Sequence, residues 1–173
     1  MLIKTKQFII RPYKLRDAKI LAKAINSKKI SDNLVKVPYP YKLSDAKKFI
    51  AKALHGYRQK QPNKLYYAIE IDGELAGGIG LSYFVPAHQT EIAYWLAEKY
   101  WGKGIMTKVV KKVTDYLFDK FKLKRIYGEV FKHNIGSIKV LEKVGFKVEG
   151  LLKKEIKKNK QFIDAYIMAK IKR

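Results

Sequence analysis

The sequence predicts an α+β domain with a mixed, mostly antiparallel central sheet of about seven strands and flanking helices. Three observations carry this expectation. The apolar period switches between 3.6 and 2 along the 173 residues. A strong hairpin signal, Asp72-Gly73, separates two alternating runs. In the second half, strand and helix patterns alternate twice, which calls for at least one parallel pair.

Leu2–Pro12 reads as a strand through Phe8, Ile9 and Ile10, ended by Arg11-Pro12. Ala18, Leu21, Ala22 and Ile25 recur at helical spacing, with Asn26 as the stop. Residues 31–42 are turn-rich. Ser44 is expected to cap the next helix, with Asp45 in its first turn and Ala46, Phe49, Ile50, Ala53, Leu54 and Tyr57 inward. Leu65, Tyr67, Ile69 and Ile71 alternate up to the Asp72-Gly73 turn, and Leu75, Gly77, Ile79 and Leu81 continue beyond it. Thr90–Leu96 completes a three-strand meander. Gly102-Lys103-Gly104 leads into Ile105, Val109, Val113, Leu117 and Phe121, an i, i+4 series. The strand Arg125–Phe131 should lie parallel to Thr90–Leu96 through a right-handed crossover. Asn134 opens a helix that Gly145 closes at C′. Phe146–Ile156 and Ile163–Ile171 are the last strands, joined by the polar turn Lys157–Gln161.

The length predicts one domain, residues 1–173, with a core that needs no staple. There is no cysteine, which excludes disulfides, thiolate metal sites and a cysteine nucleophile. No run is long and apolar enough to span a membrane, and no secretory leader is visible, so a cytoplasmic location is expected. The chain carries 38 Lys+Arg against 15 Asp+Glu, a net +23. Charge of that size suggests nucleic acid or an anionic surface as a partner. Only five of the bases are arginine, the residue favoured for planar phosphate contacts, so a solvated lysine surface accounts for the charge equally well. Residues 1–60 and 101–173 each carry +13, whereas 61–100 carries −3.

The chemistry concentrates where Tyr94–Leu96 runs into Tyr100-Trp101-Gly102-Lys103-Gly104 and then a helix. Glycines let backbone N–H groups turn toward an anion, and a helix N-terminus adds partial positive charge. The spacing is neither a P-loop nor a dinucleotide fingerprint. Asn134-Ile135-Gly136-Ser137 sets polar residues at the start of the next helix.

The runs E-I-A-Y-W-L from Glu91, Y-W-G-K-G from Tyr100 and N-x-x-S-x-x-V-L-E-K-V-G-F from Asn134 resemble the GNAT superfamily of acetyl-CoA-dependent N-acetyltransferases. The nearest branch is the ribosomal-protein N-acetyltransferase type, RimJ/RimL-like. Leu15-Arg16-Asp17-Ala18, the stretch Pro38 to Ile50, Glu149-Gly150 and Asp164 extend the resemblance over nearly the whole chain. The resemblance implies a sheet splayed between the family's fourth and fifth strands, here Thr90–Leu96 and Arg125–Phe131, with acetyl-CoA in the split. It places the thioester and pantetheine along Trp95, Leu96 and Ala97. It places the pyrophosphate at Lys99, Gly102 and Gly104, with Lys103, Ile105, Met106 and Thr107 as further donors. Lys99 stands where the family has glutamine or arginine. Asn134 matches the asparagine that contacts the cofactor arm, and Lys143 is a candidate for a CoA phosphate. No metal is expected.

The implied reaction is direct attack of a neutral amine on the thioester, which needs a base. Glu91 is the candidate, in the acidic middle block; Glu129, His88 and His133 are alternatives, and a structural ion pair with Arg125 or Lys132 is the other reading of Glu129. An oxyanion donor is expected near Leu96 or Ala97. Where many members place a tyrosine acid, this chain has Leu141, so Ser137 is the candidate to protonate the thiolate. The favoured acceptor is a protein N-terminal α-amine, of the ribosomal-protein type. The alternatives are a small-molecule amine (polyamine, antibiotic or amino acid), or a non-catalytic RNA- or ribosome-binding module on the same fold. A polyamine site needs convergent carboxylates, which look scarce. Docking to ribosome or RNA through the basic surface stays open, as does a monomer or homodimer.

Overall fold

A computed structural model describes residues 1–172. Its strands are β1 (Ile3–Lys4), β2 (Ile9–Pro12), β3 (Lys64–Ile71), β4 (Glu74–Val85), β5 (Gln89–Leu96), β6 (Arg125–Phe131), β7 (Lys147–Lys158) and β8 (Gln161–Ile171). Its helices are α1 (Asp17–Ile25), α2 (Lys28–Asp32), α3 (Leu43–Arg58), α4 (Ile105–Phe121) and α5 (Ile135–Val144). The strands form one sheet in the order β1-β2-β3-β4-β5-β6-β8-β7. Neighbours are antiparallel in the β1/β2, β2/β3, β3/β4, β6/β8 and β7/β8 pairs, while β5 and β6 are parallel, as the strand–helix–strand pattern requires. The chain packs as two compact units. One comprises Met1–Ser82 with Tyr94–Trp101; the other comprises Tyr83–Ala93 with the chain from Gly102 onward.

In the first unit, the expected Leu2–Pro12 strand is two strands. The Thr5 hydroxyl accepts from the Phe8 N–H and donates to the Phe8 carbonyl, folding the chain back so that Ile3 faces Ile10. Helix α3 starts at Leu43 rather than after Ser44. The Asp45 carboxylate accepts from the Lys42 N–H, so the first turn closes two residues earlier. The Asp72-Gly73 turn has both central residues at positive φ (50° and 79°), the two-residue hairpin geometry that matches strand twist. Tyr13, Leu21, Ile25, Tyr41, Ile50 and Ala68 are among the residues that join α1, α3 and β3 in one core. Above it, Arg11 donates two hydrogen bonds to Asp17 (2.7 and 3.0 Å) and one to Glu70 (2.6 Å).

In the second unit, α4 buries Val109, Val110, Val113 and Leu117, the face that the i, i+4 series marks, and packs on α5. Gly145, at φ +94°, ends α5. Its N–H bonds to Glu142 and the Phe146 N–H bonds to Leu141, which satisfies two of the last carbonyls. Strand β7 runs two residues further than Phe146–Ile156 suggested, and the turn narrows to Asn159-Lys160, both at positive φ.

Candidate active site

The end of β5 and the loop behind it belong to the first unit. Two glycines of β4 let β5 approach closely: a Cβ on Gly77 would lie 2.5 Å from the Trp95 carbonyl, and one on Gly78 would lie 2.5 Å from Trp95 Nε1. Trp95 is half-buried, and Leu96 and Ala97 are buried. The Ala97 N–H donates to the Ala76 carbonyl (2.8 Å), and Trp101 Nε1 donates to the Leu96 carbonyl (2.7 Å). Between them, Glu98–Tyr100 forms a single 3-10 turn. Glu98 holds that turn to Ser27 (2.5 Å) and Lys29 (3.2 Å). Lys99, exposed, pairs with Glu74 at 3.1 Å, and that carboxylate raises its pKa. The side chain thus has a protein partner, and nothing in its geometry assigns it to a phosphate.

The glycine loop proper begins the second unit. Gly102 (φ +73°) and Gly104 (φ +70°) both occupy the left-handed region, where glycine is the default residue. An added Cβ on either would meet nothing within 4 Å, so the space beside the loop is open. Gly104 is the N-cap of the 17-residue α4. The first bond back to it comes from the Lys108 N–H (3.2 Å), and helix geometry turns the amides of Ile105, Met106 and Thr107 outward without a partner further up the helix. Lys103 is exposed beside them.

Asn134 caps α5, its side-chain oxygen accepting from the Ser137 N–H (3.1 Å). Its side-chain oxygen is therefore engaged in the cap, while its amide hydrogens remain to offer a ligand. Ser137 is half-buried at N3, and Lys143 is exposed in the last turn.

Glu91, half-buried, stands in register with Tyr127 at the end of a parallel ladder of three pairs, Gln89 to Glu91 against Arg125 to Tyr127. One residue on, a Cβ at Gly128 would lie 3.0 Å from the Ile92 carbonyl. Glu129 follows two residues after Tyr127, on the same face of β6. The ion pair of Glu129 with Arg125, the structural alternative for that carboxylate, does not form. Arg125 instead grips Glu149 through both guanidinium nitrogens (2.6 and 2.5 Å) and lies over the Tyr127 ring. Freed of that cation, Glu129 has its carboxyl held above the usual range, first by desolvation and then by Glu155. The Tyr127 phenol is raised by desolvation and by the charges of Glu91 and Glu129. Tyr127 thus feels the charges of Glu91 and Glu129, and Glu129 that of Glu155, in an otherwise basic unit. Sequence periodicity could place Glu91 and Glu129, but not Glu155, which a β7 bulge brings in. His133 packs against Phe131, and the His88 carbonyl accepts from the Lys124 and Arg125 amides. Among the described residues there is no metal-binding group of side chains, and no helix is long and apolar enough to cross a membrane.

The family described as "Acetyltransferase (GNAT) domain" matches residues 7–147. The probable N-acetyltransferase YjcK of Bacillus subtilis is 42% identical over 100 residues, 57% of this chain and 55% of that protein. This chain therefore spans about half the length of that relative. The spermidine N(1)-acetyltransferase of Escherichia coli K12 is 29% identical over 92% of this chain and 83% of its own. Among solved structures, Mycobacterium smegmatis RimJ in complex with CoA-disulfide superposes with a TM-score of 0.83 at 24% identity, covering 95% of this chain and 81% of that one. At that identity the likeness establishes a shared fold.

Proposed function

Because the chain belongs to the acetyltransferase (GNAT) family, we propose that it is an acetyl-CoA-dependent N-acetyltransferase acting on a primary amine by direct attack on the thioester. Residues 1–173 are read as one acetyltransferase domain. The observation that carries the reading is the pair of left-handed glycines, Gly102 and Gly104, with open space beside them at the head of a long helix. That arrangement suits a pyrophosphate. The amides of Gly102, Gly104, Ile105, Met106 and Thr107 donate to it, and Lys103 adds a cation. Lys143 and the Asn134 amide group are left for the outer phosphate and the cofactor arm. Trp95, Leu96 and Ala97 line the pantetheine. Lys99, held by Glu74, contributes through its backbone only.

Acetyl-CoA supplies an acetyl group already activated as a thioester. The protein must deprotonate the amine, stabilise negative charge on oxygen and return a proton to sulfur. Glu91 or Glu129 removes the amine proton. The Ala97 N–H is engaged by Ala76, so the oxyanion role passes to the Leu96 N–H as the candidate donor. Ser137 takes the acid role at the thiolate.

Two acceptors remain in play. The RimJ/RimL-like motifs favour a protein N-terminal α-amine. The charges that Tyr127 feels from Glu91 and Glu129, and Glu129 from Glu155, favour an amine with further positive charges, a polyamine. Comparing kcat/KM for spermidine with that for an uncharged-side-chain peptide bearing a free N-terminus decides between them.

Cofactor binding is tested by thermal shift. At a ligand concentration about 100 times Kd, binding contributes about 2.7 kcal/mol, or roughly 5–10 °C for a chain of this size. Gly102→Val should abolish the shift while lowering the apo Tm only modestly, since the open space accepts the side chain and the left-handed φ costs about 1–2 kcal/mol. A full shift in the variant would remove the phosphate loop from this assignment.

A further inference from the structure

We propose that Tyr13 is a positioning residue for acetyl transfer: its buried hydroxyl steadies the Trp95 indole, and with it the end of β5. The inference rests on the reading of Trp95, Leu96 and Ala97 as the pantetheine line. Tyr13, Gly78 and Trp95 all belong to the first unit. Tyr13 directly follows β2, and its side chain sits in the core that joins α1, α3 and β3, with Trp95 packed against that core. Phe49 meets the Tyr13 ring edge-on at 5.3 Å, and the Tyr13 N–H donates to the Tyr57 hydroxyl (3.1 Å). Only 2% of the residue is exposed. A phenol in such a place ordinarily finds a hydrogen-bond partner, as the Tyr57 hydroxyl does by donating to the Tyr66 carbonyl. Among the described residues, no protein group makes a well-formed hydrogen bond with the Tyr13 hydroxyl.

What stands beside that hydroxyl is the Trp95 indole. A Cβ on Gly78 would lie 2.4 Å from the Tyr13 hydroxyl and 2.5 Å from Trp95 Nε1, so both polar atoms crowd one point above a glycine. Burial pushes the Tyr13 phenol up, and the indole N–H draws it part of the way back. An indole N–H only donates, so the phenol oxygen serves it as acceptor and keeps its own proton without one. A core filler needs the ring alone, and phenylalanine would supply it without a buried hydroxyl. What the hydroxyl adds is a polar contact to Trp95. That residue is half-buried, so packing alone does not fix its ring. Its two successors each have a hold of their own: Trp101 Nε1 grips the Leu96 carbonyl, and the Ala97 N–H bonds to Ala76. For Trp95, Gly77 clears the way for the carbonyl and Gly78 for the indole. Glycine makes room without setting a direction, and the Tyr13 hydroxyl sets it. Small misplacements of groups that orient a reacting centre are expensive in rate, which gives the contact its use.

Tyr13→Phe keeps the ring and removes the hydroxyl. Its Tm should match or exceed that of the parent, because deleting a poorly partnered buried hydroxyl is close to neutral or stabilising. Its kcat, with spermidine or the free-N-terminus peptide as acceptor, should fall about threefold to tenfold, the net worth of one hydrogen bond. The acetyl-CoA thermal shift, which the phosphate loop sets, should be kept. Trp95→Phe removes the N–H from the other side and should lower kcat at least as far. In that background Tyr13→Phe should cost nothing more, since the two act as one contact. The chain has two tryptophans, so Trp101→Phe leaves Trp95 as the sole indole. There, Tyr13→Phe should lower the steady-state emission anisotropy as the ring gains freedom. Unchanged kcat and unchanged anisotropy in Tyr13→Phe would overturn the proposal, as would an equal loss of kcat with and without the Trp95 indole. A Tm lowered by several degrees would also overturn it, because the hydroxyl would then be holding the core. Full kcat in Trp95→Phe would do so whatever Tyr13→Phe shows. The anisotropy is read without acetyl-CoA, so it tests the contact even where the parent gives no thermal shift, a result that would sink the cofactor reading instead.

Discussion

Glu91 and Glu129 occupy adjacent strands, and the sequence alone leans to Glu91 because the family motif passes through it. The structure changes the balance through a third residue. Arg125, a possible partner for Glu129 by sequence, is taken by Glu149, and the charge felt by Glu129 is that of Glu155. A base works only as the carboxylate, so the acid limb of kcat/KM reports its pKa. Desolvation and Glu155 both favour the protonated form of Glu129, which puts such a limb above the ordinary carboxylate range. Removing the like charge lowers that pKa. Glu155→Gln should therefore move the acid limb to lower pH if Glu129 is the base, and Glu129→Gln should abolish the limb. A limb unmoved by Glu155→Gln but lost in Glu91→Gln would assign the base to Glu91. Neither Glu155 nor the diversion of Arg125 was legible beforehand, because both depend on a bulge and a contact between residues 24 apart in sequence.

At the scale of elements, what was legible is what neighbouring residues decide. Helix α4, strand β6 and helix α5 fall where the i, i+4 series, the β-formers and the Asn134 and Gly145 caps put them. The errors sit where a side chain, rather than a periodicity, sets the boundary: Thr5 breaks the first strand, and Asp45 moves the start of α3. The Arg11–Asp17–Glu70 group is a further case, since Arg11 and Glu70 are 59 residues apart. Arg11-Pro12 reads only as a strand end, yet it ties β2 to the head of α1 and to β3. The Arg11 and Asp17 side chains are 9% and 3% exposed. Removing one partner of a buried pair costs about 3–5 kcal/mol because a charge is left uncompensated. Asp17→Asn, which also weakens the bond from the Lys14 N–H, should lower the denaturant midpoint accordingly with the m-value unchanged. Lys28→Ala, which breaks an exposed pair, should cost less than about 1 kcal/mol. Comparable losses in the two variants would mean that Arg11 finds other partners.

For the molecule as a whole, composition does not tell which of the 38 bases are paired, only that the sum is +23. Most of the observed ion pairs are exposed, and exposed pairs contribute little. The buried Arg11 group is weakly screened by salt. Self-repulsion of the remaining positive charge acts over longer distances, and at low ionic strength the Debye length reaches about 30 Å, comparable with the molecule. The two effects oppose each other as salt is added: screening weakens the surface pairs and weakens the repulsion. With 38 bases facing 15 acids, repulsion is the larger sum. Raising sodium chloride from about 10 to about 150 mM shortens the screening length to about 8 Å and should raise the apo Tm by a few degrees. Over the same range acetyl-CoA should bind more weakly, since an anionic ligand loses the attraction of the loop lysine and helix terminus. The two slopes should thus have opposite signs. An apo Tm that falls with salt would show that the surface pairs outweigh the repulsion, and that the lysine excess is compensated far more evenly than its ion pairs indicate.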